Sequence, residues 1–565
     1  MNRRKFIKNT FAALGALSVS ESIVSCALFD GGHFRKFKLP DSVEIETETG
    51  RHSPVYCKDS GSYKCGEIEL FVAVSDKKTE FSLKSPRENP KFVFITWNVS
   101  NSAASKYLND HWERGYGDLH WGGLGEKRVF PWYFAEYDGT VCNCVGVMTQ
   151  CNSFCSWIVS PDRLVLKADV RNGSNGVRLG GRVLEMASVV ARNGKVSESP
   201  FDAIHNFCKE MCPNPRLPKQ PVYGINDWYF AYGKNSEKLI LELTDLVGDL
   251  IPRNDNKPFC LIDGGWNKIS SKHPRSRGGW SDDFRKSNEL FPDMKSLADE
   301  IKRRGMRPGL WMRPLCAPDN ASEEILLSPN AHANNPQNYR YLDPTIRRNR
   351  DYIKECFAAY SAWGIEMIKH DYSSYDIFGK WGFEMFASAD MTRGDWSFYD
   401  KTKTNAEVVL DLYRLIRREC GDMYVIGCNT FSHLSAGLFE LQRTGDDTSG
   451  LEWARTLKMG VNTLAFRAPQ HNAFYSCDAD CVGLRVDIKW ELNRQWMELL
   501  AESGTPLFIS PQPKAVGAEQ RECIKKCFEL ASKTLPTGRA LDWFETLTPQ
   551  KWKLNGKIRT FNWKA

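Results

Sequence analysis

Histidine is scarce in this 565-residue sequence, which has 10 of them, and no histidine pair stands near its cysteine clusters. A structural zinc centre needs four ligands at suitable spacing. "CDADC" (477–481), with two cysteines, therefore reads as buried thiols or a local disulfide, and no metal or cofactor is expected. Beyond the first 26 residues there is no apolar run of the about 20 residues that a membrane span requires. Nor is any basic block long enough for a nucleic-acid arm, although the net charge is +7. Repeats and low-complexity tracts are missing too. What remains is a globular chain whose 42% hydrophobic residues suffice for a large core. It is rich in aromatics, with 18 Trp, 19 Tyr and 31 Phe. Their flat faces serve a core or the apolar face of a sugar.

The N-terminus reads as a targeting segment. "NRRKFIKNT" gives a positive region containing Arg3-Arg4, and "FAALGALSVS" a short apolar run. The paired arginines resemble a twin-arginine export signal. "SIVSC" resembles a bacterial lipoprotein box, with Cys26 as the lipidated residue. Residues 1–26 are thus expected to direct export to the periplasm or cell surface, with a lipid anchor at Cys26 as the contact with the membrane. An exported chain is permitted disulfides.

Residues 35–212 carry short alternating runs ("EIELFVAVS", "KFVFITWNVS", "RLVLKADV") separated by turn signals such as "NGSNG" and "YDGT". Period-2 alternation with this punctuation predicts an antiparallel β-sandwich. A proline-rich stretch at 213–221 predicts a linker. From 222 to 535 apolar strands alternate with amphipathic helices. Met294, Leu297, Ala298 and Ile301 share one helical face, as do Ile353, Cys356, Phe357 and Tyr360. Eight strand–helix units predict a (β/α)8 TIM barrel. Residues 536–565 predict a short β-rich segment with an Asn-Gly turn at 555–556.

A barrel of this kind carries its site at the C-terminal strand ends. Those ends hold Trp228, Asp263, Trp311 with Arg313, Lys369 with Asp371, Cys428 with Asn429, and Arg443 with Asp446-Asp447. Carboxylates on separate strands, each beside a cation, suit the cleavage of a glycosidic bond. A nucleophilic carboxylate must stay ionised, and Lys369, two residues before Asp371, is expected to lower its pKa. The partner acid must hold a proton, so its pKa is expected to be raised by burial or a nearby anion. "RTGDD" offers two candidates. Trp228 and Trp311 have a second reading as core aromatics, Cys428 as a small buried apolar residue, and Asp478 and Asp480 as loop-structuring acids.

At these residues the chain resembles the α-galactosidases of glycoside hydrolase family 36 and, more distantly, family 27, over roughly residues 40–530. "MIKHD" is similar to the family's strand-4 nucleophile motif. This implies Asp371 as nucleophile and Lys369 as a sugar-hydroxyl ligand. "RTGDDT" resembles its Arg-x-Gly-x-Asp-Thr stretch, implying Asp447 as acid/base and Arg443 as a binding residue, with Asp446 as runner-up. "GLW" places Trp311 at the stacking position, and "GCNT" sets Cys428 where a substrate-lining cysteine is common. "LNDHWERGYGDLHW" (108–121) resembles a sandwich loop that reaches the active site, nominating Trp112 and Asp118. The family's strand-2 motif, Asp-Asp-Gly-Trp, is here "IDGGW": Asp263 stays and Gly264 replaces the second acid. The chain also stops where the family continues into a small C-terminal β-domain.

The resemblance implies a retaining exo-glycosidase for α-galactoside-like bonds in oligosaccharides or polysaccharide side chains. Gly264 admits other sugars, a β-L-arabinopyranoside or a bulkier α-N-acetylgalactosaminide. A transglycosylase with the same machinery and a non-catalytic carbohydrate-binding lipoprotein are the other readings. An oligomer is compatible with all of them.

Overall fold

The computed structural model describes residues 39–125, 128–268, 283–318, 321–332 and 340–564, with the backbone of two short strands, Phe29–Asp30 and His33–Phe34. The expected export segment, residues 1–26, and Cys26 with it lie outside the described residues. No described helix is long and apolar enough to cross a membrane.

Two antiparallel sheets form the first part of the chain. One has eight strands, from Lys106–Asn109 at one edge to Val55–Cys57 at the other. The second has six, centred on Pro90–Asn98 and Arg163–Asp169. Alternation puts Val43, Ile45 and Thr47 inward and Ser42 and Glu44 outward along Ser42–Thr47. The sheets meet face to face through aromatic pairs. Phe81 stands edge-on to Trp97 at 6.1 Å, and Phe134 to Trp157 at 6.2 Å.

The second part is one parallel sheet of nine strands: β1 (Tyr223–Asn226), β2 (Phe259–Ile262), β3 (Arg307–Met312), β4 (Met367–His370), β5 (Tyr424–Gly427), β6 (Leu441–Arg443), β7 (Ser476–Asp478), β8 (Cys481–Leu484) and β9 (Leu507–Pro511). Their order is β7-β6-β5-β4-β3-β2-β1-β9-β8. The two edges, β7 and β8, are joined in sequence by Ala479-Asp480, so the chain itself bridges them. Asp480 takes a left-handed φ of 72° at that break.

Helices between the strands follow their caps. Ser236 accepts from Leu239 N at the start of Glu237–Gly248, and Asp293 accepts from Lys295 N and Ser296 N before Met294–Arg303. Arg347–Trp363 ends at Gly364, whose φ of 79° suits a residue without Cβ. The two helical faces read from the sequence are buried. Near the C-terminus Arg539–Ala540, Lys551–Leu554 and Lys557–Thr560 make a three-stranded antiparallel sheet. Its last turn has positive φ at Asn555 and Gly556, 44° and 78°, as a type I′ hairpin needs. The described cysteines are free thiols, most of them buried.

The segment after Asn109 leaves the sandwich and docks on the parallel sheet's rim. Arg467, buried, pairs with Asp110 at 2.6 Å and donates to the carbonyls of His111, Glu113 and Thr444. Replacing one partner of a buried ion pair strands the other in low dielectric, at a cost of about 3–5 kcal/mol. Arg467→Met is expected to lower the unfolding free energy by about that amount in urea titrations; a change under about 1 kcal/mol would sink the assignment of Arg467 as the anchor.

Candidate active site

The floor of the site is built by β1, β2 and β4. Lys369, on β4, points inward and its Nζ lies 2.7 Å from Asp263 Oδ2. Asn226 Nδ2 donates to the same oxygen at 2.8 Å, and Gly264 N to Asp263 Oδ1 at 2.8 Å. Burial disfavours the Lys369 charge, but Asp263 and Asp371 outweigh it and hold the group well above its ordinary pKa. The cation expected beside Asp371 is therefore spent on Asp263, because the pleat carries Lys369 toward β2. Asp371, one residue past the strand, is held by two N–H donors instead. Trp311 Nε1 donates to Oδ2 at 3.0 Å and Tyr372 N to Oδ1 at 2.8 Å.

Tyr372 makes that second bond from a left-handed backbone, φ 65°, which for a residue other than glycine costs about 1–3 kcal/mol. Its ring rests on the Arg313 guanidinium at 4.1 Å. Arg313 in turn forks onto buried Asp376, with Nε–Oδ2 3.0 Å and Nη2–Oδ1 2.7 Å.

The opposite wall comes from β6. Arg443 is buried and binds Asp480 at 2.8 Å and Asp447 at 3.3 Å. Asp447 reaches into the opening, its side chain 41% exposed. Desolvation at the wall acts to raise its pKa, but Arg443, Arg114, Lys369 and Arg455 outweigh it and hold the carboxyl below the usual range. This reverses the expectation of a raised acid: four cations face it. Asp446 is clamped between Arg114 at 2.8 Å and Arg455 at 2.7 Å. Its own N–H donates to Gly115 O at 3.0 Å. Asp480 also accepts from Thr448 N at 2.8 Å and so braces Arg443 from behind.

Cys428 lies beneath this wall, its Sγ 3.4 Å from Arg443 Nη1 and 3.8 Å from Arg114 Nη1. Burial, then the nearby Asp371 charge, pushes its thiol up. It supports the arginines and does not line the cavity.

One cavity of about 240 Å³ joins these groups, lined by Trp228, Asp263, Trp311, Lys369, Asp371, Asp446 and Asp447 among the residues nominated from sequence. The sandwich loop reaches it, but not through the residues expected. Trp112 is buried with its carbonyl accepting from Trp132 Nε1, and Asp118 is half-exposed and paired with His111 at 2.9 Å. Arg114 and Tyr116 line the cavity in their place. The glycines explain it: a Cβ at Gly115 would stand 2.9 Å from Thr463 Cγ2, so the backbone lies flush on the rim. The "RGYG" pattern was the available signal for that close approach. Arg455, Tyr372, Trp381 and Phe383 also line the cavity and were missed. Among the described residues no cluster of His, Cys, Asp or Glu has the make-up of a metal site.

A further acid sits behind Asp263. Asp227 accepts from Asp263 N at 2.7 Å and from Asn235 Nδ2 at 2.6 Å. Burial, then the Asp263 charge, pushes its carboxyl from 3.8 up to about 7. A folded-state pKa above the unfolded one gives a contribution complete below about pH 4 and lost as the pH rises to about 7. Asp227→Asn removes this titration. The wild type should therefore lose stability relative to that variant by roughly 1.4 kcal/mol per pH unit across the window. Denaturant unfolding across that range measures it, and a pH-independent difference would refute it.

No protein-family model matches the chain, and no curated protein matches its sequence. Solved structures do share its fold. The α-galactosidase TtGalA from Thermus thermophilus, in complex with p-nitrophenyl α-D-galactopyranoside, superposes with a TM-score of 0.57 at 15% identity, covering 92% of this chain and 99% of that one. A variant of the family 36 α-galactosidase AgaA from Geobacillus stearothermophilus, with stachyose, gives 0.58 at 14%, covering 92% and 79%. A family 31 sulfoquinovosidase from E. rectale gives 0.56 at 10%, covering 96% and 91%. At such identities the likeness is one of architecture, and the protein has the fold of the glycoside hydrolase family 36 α-galactosidases.

Proposed function

We propose that the protein is a retaining exo-glycosidase for α-galactoside-like bonds, using Asp371 as nucleophile and Asp447 as acid/base. The observation that carries this reading is the meeting of Asp263, Lys369, Asp371 and Asp447, from three separate strand ends, in one cavity. We read the nine strands as a (β/α)8 barrel in which β7 and β8 are one strand interrupted at Asp480.

In the first step an Asp371 oxygen bonds to the anomeric carbon while the bond to the leaving oxygen breaks and Asp447 gives that oxygen its proton. Asp447, now ionised, takes a proton from water as the water oxygen displaces Asp371. Trp311 Nε1 and Tyr372 N hold one carboxylate oxygen each, so the nucleophile meets the sugar already oriented. Asp263 and Lys369, at the buried end, are the groups for sugar hydroxyls. Asp446, held by two arginines, is a docking residue for the sandwich loop and leaves the proton to Asp447.

Gly264 bears on the sugar. A Cβ built there would meet the Trp311 ring at 3.4 Å, and Gly264 is not among the residues lining the cavity. Glycine there leaves one carboxylate fewer for sugar hydroxyls, which fits galactose or a pentopyranose held through Asp263 and Lys369.

The test is release of 4-nitrophenol from the α-D-galactoside, β-L-arabinopyranoside and α-N-acetylgalactosaminide. Turnover of one of the first two is expected; none from any by folded protein would overturn the reading. Export and lipid attachment belong to the same proposal. Labelling of expressing cells with a fatty-acid probe should mark the wild type and not Cys26→Ser.

A further inference from the structure

Asp263, Lys369 and Asp371 belong to the buried part of the cavity lining, and Asp447 is half-exposed. Three aromatic residues of the lining, Tyr116, Trp381 and Phe383, have no part in the chemistry proposed for those groups. After β4 the chain runs through two short helices, Ser373–Phe378 and Gly382–Ser388, which bring Trp381 and Phe383 to the opening. Phe383 is 49% exposed there. Tyr116, from the sandwich loop, stands edge-on to it with ring centres 5.3 Å apart. Trp381 is stacked from behind on Tyr375 at 4.4 Å, which fixes its plane.

Glu113 locks these pieces together. It is wholly buried, and one carboxylate oxygen accepts from Gly382 N at 2.9 Å and Tyr116 OH at 2.7 Å. The other accepts from Ser374 Oγ at 2.9 Å. A Cβ at residue 382 would collide with that carboxylate, so glycine is required between the two aromatic residues. A buried acid that ties a sandwich loop to a barrel insertion is a costly device for a mere surface turn. Its product is a rigid aromatic platform at the mouth.

We propose that Trp381, Phe383 and Tyr116 form the leaving-group subsite, recognising a flat apolar face on whatever is linked to the terminal sugar. This rests on the glycosidase reading. A sugar seated against Asp263 and Lys369 directs its glycosidic oxygen outward past half-exposed Asp447, toward these rings. Two sources supply such a face: an aryl aglycone, or the C–H face of a second sugar ring.

The test compares methyl α-D-galactoside, 4-nitrophenyl α-D-galactoside and an α-galactosyl disaccharide on the wild type, Phe383→Ala and Trp381→Ala. Both variants are expected to lose about tenfold in kcat/KM, mainly through KM, on the ligands with a ring in the leaving group, with the methyl glycoside within about twofold. Loss on the aryl glycoside alone assigns an aryl partner; loss on the disaccharide alone assigns a second sugar. An equal loss on all three, or none, overturns the subsite. If no glycoside is turned over, the glycosidase reading has failed separately, and calorimetry decides the subsite. Tighter binding of the nitrophenyl than the methyl glycoside, abolished in Phe383→Ala, sustains it; equal or absent binding overturns it.

Discussion

Asp371→Ala is expected to reduce turnover of a 4-nitrophenyl glycoside by on the order of 10⁴-fold or more, the scale seen when a covalent nucleophile is deleted. The reason is that the neighbouring acid cannot take its place: Asp263 is bound to Lys369, Asn226 and Gly264 N. The alanine leaves a gap on the face from which the anomeric carbon is attacked. Azide entering that gap should restore part of the activity with the activated substrate and yield a glycosyl azide of inverted configuration. Loss of Asp371 also removes the acceptor for Trp311 Nε1 and Tyr372 N, so unfolding curves are needed to show that the variant is folded. A folded variant within about tenfold of wild type would end the claim that Asp371 is the nucleophile.

Asp447→Ala should separate substrates by leaving group. With a sugar leaving group, which departs only when protonated, kcat/KM is expected to fall by about 10²–10⁴-fold. With 4-nitrophenolate, which leaves unaided, the loss should be far smaller. The pH profile carries the same logic. Arg443, Arg114, Lys369 and Arg455 hold Asp447 below the usual carboxylate range, so its protonated fraction shrinks early as pH rises. Disaccharide hydrolysis by the wild type should therefore decline in kcat/KM on the alkaline side of an acidic limb, and nitrophenyl glycosides should show that limb weakly. Arg114→Gln removes one of the cations, and the limb should move to higher pH. If Asp446→Asn, and not Asp447→Ala, discriminates by leaving group, the acid is Asp446.

The parallel strands were legible because most are short apolar runs followed by a helix, as Arg307–Met312 is by Arg347–Trp363 and Met367–His370 by Asn405–Glu419. Asp263, Trp311, Lys369, Asp371 and Asp447 were legible as a set because strand ends of a parallel sheet open on one rim. Their partners were not. Lys369 and Asp371 are two residues apart, yet the strand ends between them and they part company, one to Asp263 and one to Trp311 and Tyr372. The sandwich loop was placed correctly at the cavity but two residues out, since Gly115 and Gly117 decide which side chains turn inward. Trp381 and Phe383 lie in a stretch with neither strand nor helix period, where sequence offers no direction for a side chain.

The sequence by itself thus determined the two kinds of layer, the order of the strands and the short charged motifs that end them, all of which depend on local periodicity and chain order. Only the tertiary structure decided which cation serves which carboxylate, that four of them lower the pKa of Asp447, and that Glu113, from the sandwich loop, ties Gly382 and Tyr116 together beside the cavity. Those are long-range choices. Coulomb attraction and hydrogen bonding act through space between residues hundreds of positions apart, as Arg467 and Asp110 do, and no local pattern records which partner will arrive.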